Sequence, residues 1–214
     1  MTTCDIVLIG VGGQGVVTLG DLIARAALAA DVPTSYVPSK GMAQRGGFVK
    51  VEIRLGHTQQ VGPRVPEAGA YIVVSMERSE ALKGVRFVHP NGRFILYDYV
   101  WAPTGVLLGE DDYPSLEAVA SRIKDSGGSL SILDPAKRPS FAGKPVAANI
   151  IVLGALFAHP SVNKLIGTSS MESALADQWP KAAEANLSAF RFGLAAGNSQ
   201  ERDLQNGEQN DVVG

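Results

Sequence analysis

The chain has 214 residues, with 19 basic and 21 acidic side chains for a formal net charge of −2, and it is 45% hydrophobic and 19% charged. That length and balance suit one soluble domain with a sizeable core. They exclude nucleic acid as a partner, because phosphate binding needs a field of Lys and Arg that is absent here. Cys4 is the single cysteine, too few for an intramolecular disulfide or for the thiolates of an iron–sulfur cluster. His57, His89 and His159 lie far apart and lack metal-ligand spacing. No apolar run reaches the ~20 residues of a spanning helix, and no signal peptide opens the chain. A cytoplasmic protein that touches no membrane is expected.

Ile6-Val7-Leu8-Ile9 is a short continuous apolar run ending in glycine, the pattern of a strand buried on both faces. A helix follows over 16–30, then a strand over 34–37, a glycine-bounded loop over 41–47, and an alternating strand over 48–55. The stretch 56–67 reads as a hairpin or excursion. Strands are expected over 70–75 and 93–99, with a short helix near 78–82 between them. Ser115 caps a helix over 116–124 with Glu117 in its first turn; Gly127-Gly128 ends it before a strand over 130–133. An apolar helix over 146–158 stops before Pro160, and helices over 171–178 and 180–192 close the domain. This alternation predicts a single α/β domain over 1–196 with a largely parallel, Rossmann-like sheet flanked by helices. Residues 197–214 are polar, with Leu204, Val212 and Val213 as their few large apolar side chains, and read as a flexible tail.

Two glycine-rich loops stand out. Gly10-Val11-Gly12-Gly13-Gln14-Gly15 satisfies G-x-G-x-x-G between a strand and a helix, where backbone N–H groups can meet an anion. A dinucleotide site would also need an acid near the end of the second strand, and neither Asp31 nor Glu52 sits there. In Gly41-Met42-Ala43-Gln44-Arg45-Gly46-Gly47, Arg45 offers a planar charged fork for phosphate or carboxylate, and the glycines admit a close neighbour. Both loops follow strands, so both are expected on the edge where α/β sheets bind ligands. Ligand contact and subunit contact remain alternative uses of either loop.

The two loops, at this interval, resemble the gamma module of the 2-oxoacid:ferredoxin oxidoreductases, and within it the small subunit of the indolepyruvate type. Tyr113-Pro114-Ser115-Leu116, Asn149 with Leu153-Gly154-Ala155, and Glu184-Ala185-Asn186-Leu187 with Phe190 and Gly193 continue the likeness across residues 4–195. Pro38-Ser39-Lys40 departs from the Glu-x-His stretch more usual in the indolepyruvate type. The resemblance implies a complex that oxidises a 2-oxoacid, aromatic by preference (indolepyruvate or phenylglyoxylate), to an acyl-CoA. Thiamine diphosphate, magnesium and [4Fe-4S] clusters would sit on partner alpha/beta-type and ferredoxin-like subunits, with an NAD- or FAD-linked subunit in some relatives.

For this chain the resemblance implies no catalytic residue and no metal. It implies a surface that meets coenzyme A, formed by Gly10, Gly12, Gly13, Gln14 and Gly15 with Gly41, Met42, Gln44, Arg45, Gly46 and Gly47. A stand-alone nucleotide-binding oxidoreductase and a purely structural scaffold are the rival readings.

Overall fold

The apolar run at the N-terminus becomes the spine of a six-stranded sheet. In the computed structural model, which describes residues 2–40, 46–102 and 104–211, strand β1 (Cys4–Val11) is buried along its whole length. It lies between β3 (Phe48–Leu55) and β4 (Ala70–Ser75), in a sheet of order β2-β3-β1-β4-β5-β6. Strands β1, β4, β5 (Val88–Tyr97) and β6 (Ser129–Leu133) are mutually parallel. Strand β3 is antiparallel to both β1 and β2 (Thr34–Lys40), so β3 alone runs against the other strands of this sheet. Pro38 is tolerated because β2 lies at the sheet's edge.

Side chains alternate across β1: Ile6 and Leu8 enter one core, Val7 and Ile9 the other. The larger core lies under α1 (Val16–Ala29), α5 (Ala148–Phe157), α6 (Pro160–Ile166), α7 (Thr168–Gln178) and α8 (Ala183–Asp211). The smaller is closed by α2 (Arg78–Gly84) and α4 (Leu116–Asp125), through Ala81, Val119 and Ile123. A short α3 (Thr104–Leu107) precedes α4, and β7 (Ser140–Phe141) with β8 (Lys144–Pro145) makes a small hairpin. The α/β architecture expected from the alternation is present.

Helix α5 is apolar all round because it is covered all round: Ile150 through Phe157 are buried between sheet and α8. A Cβ at Gly154 would overlap the Phe190 carbonyl oxygen, and one at Gly193 would overlap that of Ile151. The two helix backbones therefore meet directly, an approach that only glycine allows.

Two expectations change, at Pro160 and beyond 197, and a third, the hairpin or excursion after β3, is narrowed. Pro160 does end α5, but it also starts α6, for which His159 supplies the N-cap by accepting from Ser161 N–H. The stretch after β3 is an excursion without regular pairing, held where Glu52 accepts from the Val65 N–H at 2.9 Å. The flexible tail expected from 197 meets helix instead, since α8 runs on to Asp211. Composition underrates this segment because its first turns are held by distant parts of the fold: Gly197 lies against α5 beside Ala155 and Ala158, and the Gln200 amide donates to the Ile132 carbonyl at 2.8 Å.

Candidate functional site

Because β1, β2, β4, β5 and β6 point the same way, their carboxyl ends share one edge, and both glycine loops lie on it. The loops touch. Gly12 N–H donates to the Gly47 carbonyl at 2.8 Å, and Gly46 N–H returns a bond to the Gly12 carbonyl at 3.3 Å. This clamp continues the β1–β3 ladder, whose last rung pairs Val11 with Phe48. Gly41, Met42, Gln44 and Arg45 lie outside the described residues.

Each glycine of the first loop has its own reason. A Cβ at Gly10 would crowd the Gln14 side chain and Met76, and one at Gly15 would overlap the Asn149 amide. Gly15, at φ +80°, is the N-cap of α1, whose first turn carries no acid and no side-chain cap. Gly13, at φ +104°, faces open space. Gln14 is occupied internally: its Oε1 accepts from Val11 N–H at 3.0 Å and its Nε2 donates to the Met76 carbonyl at 2.9 Å. That amide stitches the loop to the end of β4.

Gly13 and Gln14 form one wall of a cleft of about 280 Å³. Tyr97, Tyr99 and Trp101 form another, and Arg138 and Asn149 complete it with Met76 and Ala148. Tyr97 and Tyr99 stack with centroids 6.4 Å apart, and Trp101 tilts against Tyr99. A Cβ at Gly46 would lie 3.9 Å from the Trp101 indole nitrogen, so the second loop reaches the same wall. Arg138 is steadied by donating from Nε to the Val146 carbonyl at 2.5 Å. Burial pushes the Tyr97 phenol up in pKa, against the pull of the Arg138 charge.

The aromatic wall hangs on a residue that sequence reasoning passes over. Glu77, fully buried at the N-cap of α2, accepts on Oε2 from Glu80 N–H at 2.8 Å and from the Ser79 hydroxyl at 2.6 Å. Its Oε1 accepts from Trp101 N–H at 3.2 Å and from the Tyr113 hydroxyl. Both ends of the segment from Trp101 to Tyr113 are thus gathered on one oxygen. Burial, then the bond to Glu77, raises the Tyr113 phenol far above its ordinary range. Next door, Arg78 pairs with Asp98 at 2.6 and 2.9 Å and gives its backbone N–H to the Tyr99 carbonyl. The available signal in the sequence was position, since Glu77, Tyr99 and Trp101 all follow the ends of buried strands. Spacing alone does not distinguish them from ordinary connectors.

The chemistry of the cleft is that of a surface lined by rings, amides and one guanidinium. Among the described residues the cleft contains no nucleophile paired with a base, and every oxygen of Glu77 is already engaged. Rigid aromatic faces, one guanidinium and exposed loop backbone suit a ligand with flat and anionic parts.

A mixed α/β sheet whose two glycine loops are clamped over a cleft is the class of fold against which known proteins can be set. Residues 5–196 match the family described as pyruvate ferredoxin/flavodoxin oxidoreductase, and the chain belongs to that family. It is 33% identical over 190 residues to indolepyruvate oxidoreductase subunit IorB of Archaeoglobus fulgidus, covering 88% of this chain and 92% of that one. IorB of Methanothermobacter thermautotrophicus is 31% identical, over 90% of this chain and 96% of its own. In fold, the chain matches the pyruvate oxidoreductase subunit PORC of Thermotoga maritima at a TM-score of 0.65 and 19% identity, covering 90% of this chain and 96% of that one. The gamma subunit of keto/oxoacid ferredoxin oxidoreductase from Geobacter sulfurreducens gives a TM-score of 0.62 at 19% identity, over 92% and 99%. The likeness to gamma modules expected from the two loops therefore holds.

Proposed function

We propose that this chain is the gamma-type subunit of a thiamine-diphosphate-dependent, iron–sulfur 2-oxoacid:acceptor oxidoreductase. The complex would convert an aromatic 2-oxoacid, of indolepyruvate or phenylglyoxylate type, and CoA to an acyl-CoA, carbon dioxide and reduced acceptor. The observation that carries the chain's own part is the clamp of the two glycine loops beside an aromatic cleft with an arginine on its rim. The aromatic preference rests on the IorB relatives, at 33% and 31% identity, against 27% for the 2-oxoglutarate synthase subunit KorC of Methanocaldococcus jannaschii.

The residues present do not fit thiamine diphosphate, since the chain has no Gly-Asp-Gly stretch, and the single cysteine is buried. Those groups belong to partners under this reading. CoA fits better: the Gly13 backbone and Arg138 offer an amide and a cation to its phosphates, and Tyr99 and Trp101 offer flat apolar faces. Arg45 is assigned to the same anionic group, on its chemistry and its place in the second loop. Residues Gly12, Gly46 and Gly47 hold that surface in register without touching the reacting atoms.

The test is to tag the chain, purify it gently under anaerobic conditions from its native cell, and assay what accompanies it. Larger subunits carrying iron and thiamine, with CoA-dependent dye reduction by aromatic 2-oxoacids, are expected. A lone chain with a bound nucleotide and no iron would sink the proposal. Arg45→Ala is expected to raise the KM for CoA while the complex stays assembled.

The scaffold reading has one specific support, that the Gln14 amide is taken up by Val11 and Met76 and the clamp glycines by each other. It predicts that substitutions at Gly13 and Arg45 change assembly and leave the KM for CoA alone. The stand-alone dinucleotide reading lacks its ribose acid: Glu52 lies mid-strand, ion-paired with Lys50 at 2.7 Å.

A further inference from the structure

Of the ten large apolar side chains that are exposed among the described residues, five lie between Tyr99 and Leu108. Tyr99 and Trp101 are accounted for by the cleft. Leu107 and Leu108 are not. They sit at the end of α3, 75% and 67% exposed, and no other adjacent pair of large apolar side chains among the described residues is more than half exposed. Scattered apolar side chains are ordinary on a surface, whereas adjoining ones mark contact surfaces. Gly109 N–H closes the turn on the Val106 carbonyl at 3.1 Å, and its φ of +74° leads the chain directly into Glu110, Asp111 and Asp112. All three acids are exposed, and none makes an ion pair among the described residues. Exposed Asp21 and Glu67, by contrast, each have an arginine at 3.7 Å. The segment is also anchored at both ends, since the Trp101 N–H before it and the Tyr113 hydroxyl after it meet the buried Glu77 carboxylate. A segment fixed in this way loses less freedom on docking than a free loop does.

We propose that residues 106–112 are a docking arm for a partner protein whose surface offers an apolar pocket rimmed by lysine or arginine. Leu107 and Leu108 enter the pocket, and Glu110, Asp111 and Asp112 meet the cationic rim. Charge chooses among the occupants. Nucleic acid and an anionic bilayer would both be repelled by three adjacent carboxylates. A second copy of this chain, docked arm to arm, would set the two acid runs against each other. A cationic protein surface has neither difficulty, and the acids then steer its approach while the leucines hold it. The inference deepens the gamma-subunit reading, on which the partner is another subunit of the complex, by naming the surface that meets it and the chemistry of the surface it meets.

The test is photo-crosslinking in the native cell, with the tagged full-length chain carrying Leu108→p-benzoylphenylalanine. The control carries the same group at Leu28, which is 76% exposed on α1. One dominant protein partner is expected for the Leu108 variant and not for the control. Binding of that purified partner to the chain is then measured from about 50 to about 500 mM salt, and should weaken about tenfold or more across that range. Neutralising the acids together, Glu110→Gln with Asp111→Asn and Asp112→Asn, should weaken binding about tenfold at the lowest salt and flatten the salt dependence. Leu107→Ser with Leu108→Ser should weaken it about tenfold at every salt and leave the slope unchanged. Circular dichroism and melting temperature check that both variants fold; should the leucine pair fail to fold, Leu108→Ser alone replaces it. A crosslink to lipid, nucleic acid or a second copy of this chain, a yield no higher than the control's, or an affinity indifferent to the acids overturns the proposal. A partner crosslinked at Leu108 that brings no iron or thiamine would sink the gamma-subunit reading and leave the arm standing. An assembled complex carrying both, without that crosslink, would do the reverse.

Discussion

Two buried carboxylates at opposite ends of the sheet are neutralised in different ways. Glu77, at the carboxyl edge, is surrounded by uncharged donors: two backbone N–H groups and two hydroxyls. Asp5, at the start of β1, is met by side chains instead, the Arg54 guanidinium at 2.9 to 3.2 Å and the His57 imidazole at 2.8 Å. Arg54 also donates to the Gly62 carbonyl at 2.8 Å, so the Asp5 cluster fastens the excursion after β3. The difference teaches where geometry is needed. Directional N–H and O–H donors hold the cleft wall in one arrangement, whereas an ion cluster holds a surface stretch in place with looser directional demands.

Glu77→Leu should be the most damaging change, because it strands four donors around a buried apolar side chain. A loss of ~3–5 kcal/mol in denaturant unfolding is expected, and a loss below 1 would show that the carboxylate is not the hub. Asp5→Asn retains shape but removes the charge between Arg54 and His57; a loss of about 1–3 kcal/mol is expected by the same measurement. Proteolysis should then cut first within 56–69, and preferential cutting anywhere else would contradict the fastening role. Tyr113→Phe removes one donor of four and should cost about 1 kcal/mol. Its informative readout is the KM for CoA in the assembled enzyme, expected to rise several-fold with kcat within twofold. An unchanged KM would detach the Glu77 hub from the cleft.

Cys4, next to Asp5, sharpens the comparison through pH. Burial, and secondarily the Asp5 charge, pushes its thiol up to about 12, against ~8.5 in an unfolded chain. A group whose pKa is higher when folded contributes stability below the unfolded value and loses it as pH rises towards the folded one. Stability should therefore decline from about pH 8.5 upward, and Cys4→Ala should lack that part of the decline. The native thiol should also resist iodoacetamide at pH 8; rapid alkylation without unfolding would refute its burial. His57→Gln, which leaves the Arg54 contacts with Asp5 in place, should have the smallest effect, about 0.5 kcal/mol or less.

The fold was largely legible because buried parallel strands announce themselves. Ile6 to Ile9 and Tyr71 to Val74 are apolar runs bounded by turn residues, and the helices between them carry their own caps, as at Ser115, which accepts from Ala118 N–H. The two glycine loops were legible for the same reason, as departures from an otherwise regular alternation. Glu77 was not, because its importance comes from Trp101 and Tyr113, which lie 24 and 36 residues away, and sequence spacing carries no record of that convergence. Gln14 could be read from the sequence as part of the loop surface, but its internal bonds to Val11 and Met76 could not, because Met76 lies 62 residues away. The continuation of α8 was hidden by composition, which cannot register a glycine whose value is close approach to another helix.

The reversed strand β3 has a consequence for how such a surface can diversify. Lys40 pairs with Val49, and Val11 with Phe48, so residues 41–47 leave from one fixed rung and return to another. A slip of one position would turn Val49 and Val51 out of the core, so burial itself holds both anchor points. Length and chemistry between Lys40 and the clamp at Gly46 and Gly47 can change without disturbing the ladder. What the edge displays to its neighbours is thereby free to drift at a rate independent of the fold that displays it.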